Sequence, residues 1–348
     1  MERFSEMSMR CADNYYPTSE WTMANEPDDL GWSRAGLANA YEFAASIGSS
    51  AIMIVQNGLV VSTWGTVADV TGIASMRKSL LSALIGTHEV EGTIDLNATL
   101  ADLGIDDCEP ALTLAEKQAT VADLLMSRSG IYHAAADQNP AMLPPRGIHR
   151  PGEQWFYNNW SFNILGVILE RLTGVPIAED FSRRIAQPLR MQDFQPQHFY
   201  FKTIPQSLHP AYKIRMSARD LARVGLLFMN SGRWDGVQLI PEEWVRRSVK
   251  PYTDLGRGAG FGYSWWTGRY ILRSTATLVH RHQEEKQFYW ASGLGHQYIM
   301  VLPDIGTVMV HRVTDSDNGP RGEQIEQLQA MLLASRTIGV PLTTPITE

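Results

Sequence analysis

Two tight hairpins at opposite ends of the chain constrain its fold more than any other feature of the sequence. Near the start, SAIMIVQNGLVVSTWG alternates around Asn57-Gly58, a dipeptide whose tolerance of positive φ suits the two-residue turn of a hairpin. Strands are expected at about residues 51 to 56 and 59 to 64. Near the other end, QYIMVL and TVMVHRV flank Pro303, Asp304, Ile305 and Gly306, so apolar and β-branched residues again lie on both sides of a turn-forming segment.

Between the hairpins the signals are mostly helical. Thr120 and Asp123 have capping-box spacing before DLLMSRS, and Gly130 is placed to end that helix in the left-handed conformation. From Ser161 to Leu172, apolar residues at Phe162, Leu165, Ile168 and Leu169 form one helical face, with Gly174 as a stop. Ser217 and Asp220 repeat the capping box before LARVGLLFMN, and Pro241 opens EEWVRRSV at a position where its missing N–H costs nothing. Strands at the ends and helices between them imply an α+β fold. The expected arrangement is an antiparallel sheet domain built from residues 1–74 and 235–348, a mainly helical domain over 75–234 inserted into it, and a catalytic cleft between the two.

Composition narrows the function. A chain of 348 residues with 44% hydrophobic and 19% charged residues can bury a large core and is not disordered. Its net charge is -7 and its 30 basic residues are scattered, which excludes the positive stripe that holds a phosphate backbone, so no nucleic-acid partner is expected. Cys11 and Cys108 are too few for a disulfide framework or a thiolate metal site. The nine histidines lack metal-binding spacing, His280-x-His282 reads as a surface pair, and neither metal nor cofactor is assigned. Asp106-Asp107 and Glu284-Glu285 read as solvated faces or turns. MERFSEMSMRCADNYYPTSEW lacks the apolar region of a secretory signal, and no stretch approaches the roughly 20 apolar residues of a membrane span. A cytoplasmic protein without a membrane partner is the expectation.

The chemistry gathers in TGIASMRKSLLSALIG, which reads as a helix beginning near Ser75 with Leu80, Leu81, Leu84 and Ile85 on its buried face. Lys78 follows Ser75 by three positions, and it is the only one of six lysines with a serine at that spacing. On a helix the two side chains share a face, close enough for an amine to reach a hydroxyl. A serine is a poor nucleophile until a base takes its proton, and lysine is a base only where burial or a neighbouring cation keeps the amine neutral.

A second element is PGEQWFYNNWSFNILGVILERLTG, with Tyr157 and Asn159 directly before a helix. Tyr157 can relay protons if its phenol has a lowered pKa or shares a proton with Lys78. Asn159 can hold Lys78 or a substrate carbonyl, or simply cap the helix. Trp155, Phe156, Trp160 and Trp290 flank these motifs in sequence; most are expected in the core, with one or two walling an apolar acyl pocket.

Ser75-Met-Arg-Lys78, with Tyr157-Asn158-Asn159 beginning 82 positions after the serine, resembles the class C β-lactamase, DD-peptidase and serine-esterase superfamily. Its likeness is nearest to the cytoplasmic branch with the 6-aminohexanoate-dimer hydrolases. GTIDLNATLADLG, DLLMSRSGIY, QPLRMQDF and MSARDLARVGLLFMNSGRW extend the likeness over about 50 to 335. The resemblance implies a β-lactamase/DD-peptidase-like fold, with Ser75, Lys78 and Tyr157 as catalytic residues. It also implies a third box, normally Lys-Thr-Gly or His-x-Gly, on a sheet strand beside the nucleophile. Ala291-Ser292-Gly293 is its candidate, with Leu294-Gly295-His296 as an alternative register. In the first register the amide of Leu294 joins that of Ser75 as the oxyanion hole, and Ala291 stands where relatives carry a cation for a substrate carboxylate. The expected activity is hydrolysis of a small-molecule ester or amide. A β-lactamase or D-alanyl peptidase, an acyltransferase and a non-catalytic binding homologue remain alternatives.

Overall fold

The structure, a computed structural model, describes residues 15–272, 285–315, 319–337 and 341–342. In chain order the first strands are β1 (Ala51–Gln56), β2 (Leu59–Gly65), β3 (Thr71–Gly72), β4 (Phe199–Ile204) and β5 (Ser207–Met216). They are followed by β6 (Arg233–Trp234), β7 (Val237–Gln238), β8 (Thr253–Gly256), β9 (Ala259–Phe261) and β10 (Trp266–Leu272). The last are β11 (Glu285–Gly293), β12 (Gln297–Leu302), β13 (Thr307–Arg312) and β14 (Pro341–Leu342). The main sheet has nine strands in the order β2-β1-β13-β12-β11-β10-β9-β8, with β14 beside β10. Every pairing in it is antiparallel. Both chain ends therefore contribute to one sheet, and β1 pairs directly with β13.

The two hairpins form as the sequence implies. Asn57 and Gly58 have φ of 49° and 85°, the positive pair that matches the twist of a two-residue hairpin turn. Alternation within the strands takes a different form from a half-exposed sheet. Ile52 and Ile54 of β1, Met300 of β12 and Met309 of β13 enter one core, whereas Met53, Val55, Ile299, Val301, Val308 and Val310 enter the other. Successive side chains leave a strand on opposite faces, and here helices cover both, so AIMIV is apolar throughout.

The helices are α1 (Arg34–Ser46), α2 (Arg77–Val90), α3 (Val121–Leu125), α4 (Asn159–Thr173), α5 (Ile177–Phe181), α6 (Ala218–Met229), α7 (Glu242–Ser248) and α8 (Gly322–Ala334). Leu37, Ala40 and Ala44 of α1 and Ile325, Leu328, Leu332 and Leu333 of α8 cover one face of the sheet. On the other, α6 lies so close that a Cβ on Gly225 would meet Val308 Cγ1 at 2.4 Å, so the helix can seat against β13 only with hydrogen at that position. Helix α2 begins at Arg77, and Ser75 belongs to the 3₁₀ turn Ala74–Met76 that leads into it.

Several local expectations change. The Thr120–Asp123 capping box is present, but its helix ends at Leu125, well before Gly130. Ser127 takes φ of 56° and turns the chain first. Ser217 caps α6, yet the Asp220 carboxylate accepts from the N–H groups of Gln192, Asp193 and Phe194 at 2.8–3.0 Å. Pro241 is the N-cap of α7, one position before its first residue. Asp106-Asp107 is not a solvated pair. Asp107 is buried, accepting from Trp160 Nε1, Ser207 Oγ and Leu208 N at 2.6–2.7 Å, whereas Asp106 takes an ion pair from Lys117. Burial raises the Asp107 carboxyl, but these donors outweigh it and hold it below the usual value. Cys11, His280, His282 and Glu284 lie outside the described residues, and Cys108 is an unpaired, half-buried thiol. Among the described residues no single helix is long and apolar enough to cross a membrane.

Candidate active site

Ser75 is presented by a strained turn anchored at both ends. On one side β3 pairs with β5, and Ile73 N donates to Ile214 O at 3.1 Å. Arg312, buried at the end of β13, spans Met216 O and Thr71 Oγ1 at 2.7 and 2.6 Å and so locks this pairing to the main sheet. On the other side Ser79 Oγ donates to Ser264 O at 2.6 Å. Between the anchors Ala74 has φ of 46°, a left-handed conformation that costs an alanine roughly 1–2 kcal/mol. Such strain persists only where surrounding contacts over-determine it, and it collects at functional sites.

The 3₁₀ turn and first turn of α2 bring Lys78 Nζ to 3.0 Å from Ser75 Oγ. The same amine lies 2.6 Å from both Tyr157 OH and Asn159 Oδ1. Burial, then the charge of Arg77, and Lys213 beyond it, hold the Lys78 amine well below the ordinary lysine range, against an opposing pull from Asp137. A neutral amine has two N–H donors and one lone pair, which matches these three contacts. In that form one N–H can go to Asn159 and one to Tyr157, leaving the lone pair for the Ser75 hydroxyl proton.

Tyr157 is set by its backbone neighbours. Ser127 Oγ donates to Phe156 O at 2.7 Å and accepts from Asn158 N at 3.1 Å, gripping the chain on both sides of the tyrosine. Asn158, not Asn159, caps α4 by accepting from Trp160 N at 3.0 Å. That frees the Asn159 amide, whose Nδ2 donates to Asp137 O at 2.8 Å and thereby turns its oxygen to Lys78. Burial pushes the Tyr157 phenol above its ordinary value, more than Ser75 and Arg77 lower it. The phenol therefore keeps its proton rather than standing as a phenolate, which the sequence left open.

The candidate third box lies on β11, which passes close to the turn that carries Ser75. A Cβ on Gly293 would sit 2.8 Å from Ile73 O, so β11 and the turn bearing Ser75 approach as only glycine permits. Ala291 is fully buried, Ser292 half-buried, and Leu294 is exposed at the end of the strand. Leu294-Gly295-His296 forms the turn into β12, bracketed by the Gly293–Gln297 pair.

Of the flanking aromatics, Trp155 packs edge-on against Phe261 and Trp266 at 5.7 and 5.9 Å. Trp266 stacks with both Tyr157 and Trp290 at 5.9 and 6.1 Å. Phe156 turns to Tyr132 and Trp160 into the core. Asp137, Arg77, Ser127 and Trp266 were not singled out from the sequence. Arg77 stands inside Ser75-Met-Arg-Lys78 and Ser127 inside DLLMSRSGIY, so proximity to a motif was their only local signal. Among the described residues no group of three or more His, Cys, Asp or Glu is placed to hold a metal.

A sheet made from both chain ends, helices inserted between them and a serine beside a buried lysine define a β-lactamase-type, penicillin-binding fold. The chain belongs to the Beta-lactamase family, whose model matches residues 37–333. Among solved structures it is similar to a protein described as a 6-aminohexanoate-dimer hydrolase from Bacillus anthracis, with 20% identity and a TM-score of 0.66 over 92% of this chain and 88% of that one. A class C β-lactamase mutant matches at 14% identity and a TM-score of 0.61 over 90% and 99%. A D-stereospecific amidohydrolase from Streptomyces sp. matches at 17% and 0.59 over 82% and 96%. At these identities the likeness to each structure is one of fold.

Proposed function

We propose that the protein is a serine hydrolase that cleaves carboxylic esters or amides through an acyl-enzyme on Ser75. The observation that carries this reading is the buried Lys78 amine 3.0 Å from the Ser75 hydroxyl, which burial and then the Arg77 charge hold well below the ordinary lysine range. In acylation the Ser75 proton passes to Lys78 as Oγ attacks the substrate carbonyl carbon. The N–H groups of Ser75 and Leu294 receive the oxyanion. As the C–O or C–N bond breaks, Tyr157 gives its proton to the leaving alkoxide or amine and recovers one from Lys78. Water then attacks the acyl carbonyl, and the same pair takes its proton and returns one to Ser75 Oγ.

Trp155, Phe261 and Trp266 beside Tyr157 favour an apolar group on the substrate. Ala291 offers no cation to a carboxylate, which weighs against a β-lactamase or D-alanyl peptidase on the same site. The test is intact mass after incubation with a fluorophosphonate, alongside a panel of small esters. One adduct on Ser75 is expected. Ser75→Ala should abolish labelling and turnover while leaving the thermal midpoint near that of the unaltered protein, and labelling of another serine would overturn the assignment.

A further inference from the structure

In sequence Arg77 stands between the proposed nucleophile and its base, and its surroundings are unusual for a guanidinium. The residue is 1% exposed. Its Cζ lies 4.4 Å from the centre of the Tyr212 ring, and Nη2 donates to Asn163 Oδ1 at 3.1 Å. Nη1 is buried without a hydrogen-bond partner, and among the described residues no carboxylate ion-pairs with Arg77. This is a buried guanidinium with a ring face and one amide oxygen but no carboxylate partner among the described residues, an arrangement costly enough that an apolar side chain would serve packing better.

The other charges around Lys78 do not cancel it. Asp137 is the nearby acid, and its carboxylate is already engaged by Lys202 at 2.9 Å and Lys213 at 2.5 Å. Tyr157 and Asn159 face the amine from the start of α4, and both are neutral hydrogen-bonding groups. Tyr212 on β5 supplies a ring face to Arg77 and no charge. Lys213 on β5 adds a second cation on that side.

We propose that Arg77 is a positioning residue for the reaction: its buried, carboxylate-free guanidinium holds the neighbouring Lys78 amine in the proton-accepting form and expels the proton once it has been taken. This rests on the serine-hydrolase reading above. At an ordinary amine value fewer than about one lysine in a thousand is neutral at pH 7, so a base of this kind needs a standing electrostatic bias. When Lys78 takes the Ser75 proton, two cations become neighbours, and passing the proton through Tyr157 to the leaving group relieves that repulsion.

The test compares pH profiles of kcat/KM for an aryl ester in the unaltered protein, Arg77→Met, Arg77→Lys and Asn163→Asp. Loss of the charge in Arg77→Met should move the acid limb to higher pH by about one unit or more, roughly a tenfold loss on that limb, with most activity regained at alkaline pH. Arg77→Lys should keep the limb near its original place. Asn163→Asp leaves Arg77 in position but sets a carboxylate against it, and should move the limb part of the way. A structural role predicts an equal loss at every pH. An unmoved limb in Arg77→Met, or Arg77→Lys behaving like Arg77→Met, overturns the proposal. Should Arg77→Met not fold, an unmoved limb in Asn163→Asp does so. Labelling or turnover retained in Ser75→Ala sinks the hydrolase reading itself, whereas an inert Ser75→Ala with an unmoved limb sinks only the role of Arg77.

Discussion

Asn159 Oδ1 receives a hydrogen bond from Lys78 Nζ at 2.6 Å, and the opposite end of the same amide is tied to the Asp137 carbonyl at 2.8 Å. The amide therefore cannot turn its N–H₂ toward the amine without losing both bonds. Asn159→Asp places a negative charge at that oxygen, which stabilises the ammonium form of Lys78. Activity near neutral pH should fall on the order of tenfold or more, with the acid limb of the pH–rate profile moved upward. Asn159→Ala should cost activity without moving the limb comparably. A profile of Asn159→Asp that keeps its shape would argue against a neutral Lys78.

Lys78 and Tyr157 share one short contact and opposite pKa displacements, the amine down and the phenol up. They should act as one proton-transfer unit. Removing either is expected to cost most of the rate, and Lys78→Ala with Tyr157→Phe should lose little more than the worse single change. A double-mutant cycle in which the two free energies add in full would refute the coupling.

His311 gives the fold its own pH dependence. It is buried between Ser49 Oγ at 2.8 Å and His296 O at 2.9 Å, and burial lowers its pKa from 6.5 to about 4. The unfolded chain takes up this proton more readily than the folded one. Stability should therefore be intact above about 6.5 and decline as pH falls toward about 4. In chemical denaturation at a series of pH values, His311→Gln should flatten that decline, and an unchanged slope would assign it to other groups.

On the reading that places the third box at Ala291-Ser292-Gly293, substrate choice follows from Ala291, which is buried on β11 and brings no cation to the site. A charge-assisted bond to a carboxylate contributes on the order of 1.5–3 kcal/mol, or roughly tenfold to over a hundredfold in binding. Neutral p-nitrophenyl acetate or butyrate should show a higher kcat/KM than nitrocefin under the same conditions. Nitrocefin turnover at about 10⁶ M⁻¹s⁻¹ or above would restore the β-lactamase reading.

The elements that were legible in the sequence are those specified by their own residues. Asn57-Gly58 makes its turn because both positions tolerate positive φ, α4 stops at Gly174 in the left-handed conformation, and Ser75 and Lys78 meet through local helical geometry. Expectations stayed open, or failed, where a side chain had two partners to choose from. Asn158 and Asn159 are adjacent amides, and partners distant in sequence, Ile131 for the first and Asp137 for the second, go with one capping α4 and the other holding Lys78. Asp220 could have closed a capping box, but the N–H groups of residues 192–194 compete for it and win by number.

The sequence by itself determined the two hairpins, the helical middle and the serine–lysine pair, because turn dihedrals and side-chain periodicity act over a few residues. Tertiary structure decided which groups lose water, and desolvation depends on what packs across from them. Asp107 reads as a surface acid until Trp160 and Ser207, 53 and 100 positions away, enclose it. Gly293 lies against the turn that carries Ser75 because β11 passes the Ile73 carbonyl. Lys78 is an ordinary lysine in the sequence, and the burial and neighbouring cations that the assembled core imposes are what lower its pKa.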